Sequence, residues 1–122
     1  MTSRKTWNVL VVEDEFLIAM HLESLLDEMG HHVVGTAASV AEAIKFAREG
    51  NIDFAVLDIN LAGSQSFPVA DILHERGIPF IFASGYGSEG LVDKYRHVTT
   101  LRKPYDPREL ERVMAATLTL SR

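Results

Sequence analysis

The chain has 122 residues, 47% hydrophobic and 24% charged, which suits one globular domain with a real core. Its formal net charge of −5 favours neither nucleic acid nor an anionic membrane surface as a partner. The absence of cysteine excludes disulfides, thiolate metal sites and cysteine nucleophiles.

No apolar stretch of signal-peptide length follows Met1–Trp7, and no apolar run approaches membrane-spanning length, so a cytoplasmic location is expected. Val9 to Val12 is a short β-branched run, predicted as a buried strand that stops at Glu13-Asp14-Glu15. Ile18, Leu22, Leu25, Leu26 and Met29 then recur at helical spacing, with Gly30 at the stop. Val33 to Ala38 reads as a second strand. Ser39-Val40-Ala41-Glu42 has the capping-box pattern and opens a helix whose stripe is Val40, Ala43, Ile44 and Ala47, ending at Gly50.

Ile52 to Leu57 is the third predicted strand, and its apolar run Phe54-Ala55-Val56-Leu57 ends abruptly in Asp58. Leu61 to Phe67 reads as a loop. Pro68 suits a first helical turn, followed by Val69, Ile72, Leu73 and the stop at Gly77. Ile78 to Ala83 is a fourth strand, with Pro79 tolerable near its start. Ser84-Gly85-Tyr86-Gly87 is a turn, Ser88 to Tyr95 a short helix, and Val98 to Leu101 a fifth strand. Asp106 as N-cap, Pro107 at the first position and Glu109 three after the cap open a last helix buried through Leu110, Val113, Met114 and Leu118.

Five strand–helix units with short connections predict a doubly wound parallel α/β sheet of flavodoxin-like order 2-1-3-4-5. It forms one domain over residues 1–122, with its core at about 8–120 and no output domain. In such sheets ligands bind outside the carboxyl ends of the strands. Those ends carry Glu13 and Asp14, Asp58, Ser84 and Lys103. Singly, each has an ordinary reading: helix-dipole charges for Glu13 and Asp14, turn formers for Asp58 and Ser84, a solvated lysine for Lys103. Together they crowd three carboxylates with a hydroxyl and an ammonium. A hard divalent cation such as Mg²⁺ relieves that repulsion, and the set suits phosphoryl transfer, in which a carboxylate can be the nucleophile.

The remaining polar and aromatic residues read as structural. His31-His32 lack acid partners, His21, His74 and His97 read as solvated, and Trp7, Phe80 and Phe82 as packing. Neither G-x-G-x-x-G nor G-x-x-x-x-G-K-[ST] occurs.

The chain resembles the receiver domain of two-component response regulators from Val9 to about Leu120. The resemblance is carried by Glu13-Asp14 after Val9–Val12, Asp58 after Phe54–Leu57, Ser84 after the fourth strand, and Lys103-Pro104. It implies that Asp58 accepts a phosphoryl group from a phosphohistidine on a sensor histidine kinase or histidine phosphotransferase. It further implies Mg²⁺ held by Asp14, Asp58 and the backbone carbonyl of Asn60, with Glu13 acting through water. Lys103 would contact the phosphoryl oxygens, Ser84 would swing onto them, and the Lys103–Pro104 peptide would be cis. Two positions depart from the common pattern: Asn60-Leu61-Ala62-Gly63 replaces a Met-Pro continuation, and Thr100 occupies the usual aromatic switch position. Phe82-Ala83-Ser84-Gly85-Tyr86 and Lys103-Pro104-Tyr105 are similar to stand-alone receivers with a Phe-Ala-Thr/Ser-Gly motif, leaving Tyr86 and Tyr105 beside Ser84 as switch candidates.

The expected function is a phosphorylation-dependent protein-interaction switch acting on a downstream protein. It is a signalling phosphoacceptor rather than an enzyme, and a monomer or weak dimer without nucleic-acid or membrane partners. The competing readings are a Mg²⁺-dependent phosphohydrolase with an aspartyl nucleophile and a flavodoxin-like binding module. The first lacks a second acid in Asp58-Ile59-Asn60, and the second lacks a phosphate-cradling first loop.

Overall fold

The computed structural model describes residues 6–85 and 92–120, with the side chains of 118–120 left out. The elements are β1 (Asn8–Val12), α1 (Phe16–Glu28), β2 (His32–Ala37), α2 (Val40–Glu49), β3 (Phe54–Asp58), β4 (Asn60–Leu61) and β5 (Ser64–Gln65). They continue with α3 (Phe67–Glu75), β6 (Phe80–Ser84), a 3-10 turn (Asp93–Tyr95), β7 (Thr100–Arg102) and α4 (Pro107–Leu120). Five strands form one parallel sheet in the order β2-β1-β3-β6-β7, the predicted 2-1-3-4-5 arrangement.

The central strands β1, β3 and β6 are almost wholly apolar because their side chains alternate into two separate cores. Val9, Val11, Phe54, Val56, Ile81 and Ala83 face α1 and α4, packing on Leu22, Leu26, Leu110 and Met114. Leu10, Val12, Ala55, Leu57, Phe80 and Phe82 face α2 and α3, meeting Ala43, Ala47, Val69 and Leu73. Each large side chain among these is worth about 1.5–3 kcal/mol of burial, so both faces of the sheet must be covered.

The helix ends follow the capping signals. Ser39 Oγ accepts from the Glu42 amide at 3.2 Å, while Glu42 Oε1 accepts from the Ala38 amide at 3.0 Å, one residue earlier than the standard box. Asp106 Oδ1 accepts from the Arg108 amide at 2.9 Å. On the edge strand β2, a register shift between Val9 and Leu10 is followed by Gly35. A Cβ on Gly35 would lie 2.4 Å from Cε1 of Phe46, so glycine lets that ring lie against the strand.

Three expectations need correction or restriction. The segment read as a loop after Asn60 contains an antiparallel hairpin, β4–β5, pairing Asn60 with Gln65 and Leu61 with Ser64. Its turn residues, Ala62 and Gly63, both have positive φ (51° and 85°), as two-residue hairpins matched to strand twist require. The fifth strand runs from Thr100 to Arg102 rather than from Val98, because the Val98 amide is spent on a turn with the Tyr95 carbonyl (3.0 Å). Of the helix expected over Ser88 to Tyr95, the described part is the single 3-10 turn Asp93–Tyr95, and residues 88–91 lie outside the described residues. The side chain of Leu118 is likewise outside them. Among the described residues no helix is long and apolar enough to cross a membrane.

Candidate functional site

Strand register brings the site residues together. Val12 pairs with Leu57, so Glu13 and Asp58 leave the sheet side by side. Asp58 pairs with Ala83, which sets Ser84 next along. Ser84 pairs with Arg102, and the Lys103 amide donates to the Ser84 carbonyl at 3.0 Å. The Lys103–Pro104 peptide is cis, as the resemblance implied.

Lys103 is the electrostatic centre. Its Nζ donates to Glu13 Oε1 and to Asp58 Oδ2, each at 3.1 Å. Glu13 and Asp58 are 2% and 5% exposed, and Ser84 is 8% exposed, whereas Asp14 is open to solvent. One cation thus faces two buried acids. Burial, followed by repulsion from Glu13, pushes the Asp58 carboxyl from its ordinary 3.8 up to about 7, against the opposing pull of Lys103. Burial acts to lower the affinity of Lys103 for its proton, but attraction and hydrogen bonds from Asp58 and Glu13 outweigh it, leaving the ammonium held above its ordinary range.

The donor set suits a hard cation. Glu13, Asp14 and Asp58 each offer a carboxylate oxygen, with all three oxygens within 4.8 Å of one another. Among the described residues no histidine joins them, and the repulsion from Glu13 that adds to burial in raising Asp58 is what such an ion would neutralise. Asn60 lies in β4 on the wall of the same cavity, which has a volume of about 790 Å³.

Of the switch candidates, Tyr105 is at the site. It is 5% exposed, lines the cavity, and its hydroxyl proton is held more tightly by burial, then by the charges of Glu13 and Asp58. Tyr86 lies outside the described residues. Thr100 pairs with Phe82 in the sheet, its Oγ1 buried and without a hydrogen-bond partner among the described residues.

Sequence reasoning missed the α1 wall. Leu17, Ile18 and His21 line the cavity, and the His21 ring lies 6.4 Å from that of Tyr105. The available signal was helical spacing: positions 17, 18 and 21 share one side of α1 at its start, beside the β1 terminus. The other histidines keep structural or surface roles. His31 Nδ1 accepts from the Trp7 amide at 3.1 Å, and His32, His74 and His97 are exposed.

Residues 9–115 match the family model described as the response regulator receiver domain. PhyR, the phyllosphere-induced regulator of Methylorubrum extorquens, is 35% identical over 114 residues, covering 90% of this chain and 43% of that protein. The chain therefore spans less than half the length of that relative. SdrG of Sphingomonas melonis Fr1 has a solution structure that superposes with a TM-score of 0.82 at 40% identity, covering 93% of this chain and 97% of SdrG. A beryllofluoride-activated SdrG structure superposes with a TM-score of 0.79, covering 91% and 95% of the two chains.

Proposed function

The chain belongs to the response regulator receiver domain family of phosphorelay signalling, and on that premise we propose that Asp58 is its phosphoacceptor and a phosphohistidine protein its donor. The observation that carries the assignment is the pair of hydrogen bonds from Lys103 to Glu13 and Asp58 beside a cavity that Asp58, Ser84 and Lys103 help to line. An Oδ of Asp58 attacks phosphorus, the Oδ–P bond forms as the donor's N–P bond breaks, and the leaving imidazole takes a proton.

Asp14, Asp58 and the Asn60 carbonyl would hold Mg²⁺, with Glu13 contributing through water, and the ion would neutralise charge on the transferring group. Lys103 supplies the protein's own share of that neutralisation as a point charge near the incoming oxygens. Its bond to Asp58 is replaced by bonds to phosphoryl oxygen as the carboxylate becomes an acyl phosphate. Ser84, in hydrogen-bonding connection with Lys103 through the backbone, then turns its hydroxyl to the same group. The kinase or phosphotransferase and the downstream protein are identified only by that chemistry: one presents a phosphohistidine, the other distinguishes the two states.

Incubation with Mg²⁺ and acetyl phosphate tests the reading by intact-protein mass. Wild type should gain one phosphoryl increment and Asp58→Asn none. Undiminished labelling of a folded Asp58→Asn protein would remove Asp58 from the role.

A further inference from the structure

No proline stiffens the chain between Asp58 and Pro68, the stretch that contains Asn60. Asn60 lies instead in the first strand of the β4–β5 hairpin, opposite Gln65, with Leu61 opposite Ser64. The Ser66 amide donates to the Ile59 carbonyl at 3.0 Å, which continues the same register to the base of the hairpin. In an antiparallel ladder, hydrogen-bonded and non-bonded pairs alternate. Ile59–Ser66 is a bonded position, and Leu61–Ser64, which closes the two-residue turn, is the next. Asn60 falls between them. Its backbone carbonyl is therefore left out of the hairpin's own bonds and directed away from β5, on a residue that lines the cavity beside Asp58.

The base of the hairpin is fixed on two sides. The Ile59 amide donates to the Ala83 carbonyl of β6 at 3.1 Å. The Ser66 carbonyl accepts from the Val69 and Ala70 amides of α3 at 2.9 and 3.2 Å. Ile59, Leu61 and Ser66 are buried, the first two in the core shared with α2 and α3. The tip has no such support. Ala62 and Gly63 are exposed, and their turn depends on positive φ at both. Paired strands this short are marginal by themselves, so the tip decides whether the pairing holds. Ala62 carries a Cβ into a region that side chains seldom occupy, which leaves Gly63 to make the turn accessible.

We propose that the β4–β5 hairpin, closed at Gly63, presents the Asn60 carbonyl to Mg²⁺ and gives the site its discrimination against larger divalent cations. The proposal rests on the metal-dependent phosphoacceptor reading above. Gly63 is a positioning residue: it touches no ligand and acts through Asn60. Carboxylates turn about their own side-chain bonds to follow an ion, whereas a peptide carbonyl moves only with its backbone. Mg²⁺ demands near-octahedral oxygens at short distance, and Ca²⁺ accepts looser sets. A backbone oxygen held in place therefore favours the ion that tolerates least displacement.

Substitution at position 63 isolates this effect, because a Cβ there would meet nothing within 4 Å and perturbs only the backbone conformation. Separate Mg²⁺ and Ca²⁺ titrations, followed by amide NMR at Asp14, Asp58 and Asn60, compare wild type, Gly63→Val and Gly63→Asn. Valine is strongly disfavoured at positive φ, whereas asparagine tolerates it. Gly63→Val should weaken Mg²⁺ binding about tenfold, the low end of what losing a ligand's support costs. Its Ca²⁺ binding should weaken by less than about threefold. Gly63→Asn should restore both ions to within about twofold of wild type.

Unchanged Mg²⁺ affinity in Gly63→Val, an equal loss for both ions, or no rescue by Gly63→Asn would overturn the hairpin's role and leave the metal site standing. Wild type in which neither ion shifts the amides of Asp14 and Asp58 would overturn the metal site as well.

Discussion

Replacing Asp58 by Asn should stabilise the metal-free protein, and the gain should depend on pH in a defined direction. Burial and Glu13 hold the Asp58 carboxyl at about 7 against an ordinary 3.8. An acid raised in the folded state binds protons more tightly folded than unfolded. Its cost to stability is therefore absent below the unfolded value, grows as pH rises through the window, and is complete above the folded value. At 1.36 kcal/mol per pH unit, the gap from 3.8 to about 7 bounds that cost at roughly 4 kcal/mol by pH 8 and roughly 2 kcal/mol at pH 5. Asn carries no charge and escapes it, less the modest value of the Lys103 hydrogen bond it weakens. Urea denaturation in EDTA at pH 5 and pH 8 reads the difference directly. Asp58→Asn should exceed wild type by about 2–4 kcal/mol at pH 8, with a visibly smaller margin at pH 5. A variant no more stable than wild type at pH 8, or a margin independent of pH, would refute the claim that burial and Glu13 make the Asp58 carboxylate costly.

Three other substitutions probe neighbouring parts of the account. Lys103→Met removes the cation between Glu13 and Asp58, and should cost on the order of 3 kcal/mol at pH 8 in denaturation experiments, less at pH 5 where Asp58 is protonated. Asp14→Asn, at an exposed position, should change metal-free stability by less than about 0.5 kcal/mol. It should also abolish most of the stabilisation that Mg²⁺ gives wild type, expected at about 2.7 kcal/mol for a concentration 100 times Kd. Gly35→Ala puts a Cβ 2.4 Å from the Phe46 ring. Chemical denaturation should show a loss of about 1–3 kcal/mol, the ordinary cost of overpacking, and an unchanged midpoint would mean that Phe46 yields freely.

The order of the sheet and the cluster at the carboxyl ends of its strands were legible because both are written in short, strong signals. Val9–Val12, Phe54–Leu57 and Phe80–Ala83 are apolar on both faces, which only a covered parallel sheet can use. Once their order is known, Glu13, Asp58, Ser84 and Lys103 must meet. The β4–β5 hairpin was not legible, because two-residue strands have no periodicity and Ala62 is not a residue that announces positive φ. His21 is exposed, as expected, but its ring contact with Tyr105 was not legible, because the two meet only after α4 and α1 pack on the same face. Tyr95 read as the end of a weak helix. Its place among Phe67, Phe80 and Phe82 and its bond to Asp71 are wholly tertiary, between segments whose local patterns are unrelated. Family membership separates the chain from the phosphohydrolase and flavodoxin-like alternatives, which share only the acidic residues or the sheet.

Reductive trapping of the phosphorylated protein tests the central claim at residue level. After incubation with Mg²⁺ and acetyl phosphate, borohydride converts an aspartyl phosphate to homoserine, and peptide mass mapping identifies the residue changed. The account predicts conversion at Asp58 and at no other acid, Glu13 and Asp14 included. Conversion at a different carboxylate, or a labelled protein with Asp58 intact, would contradict it.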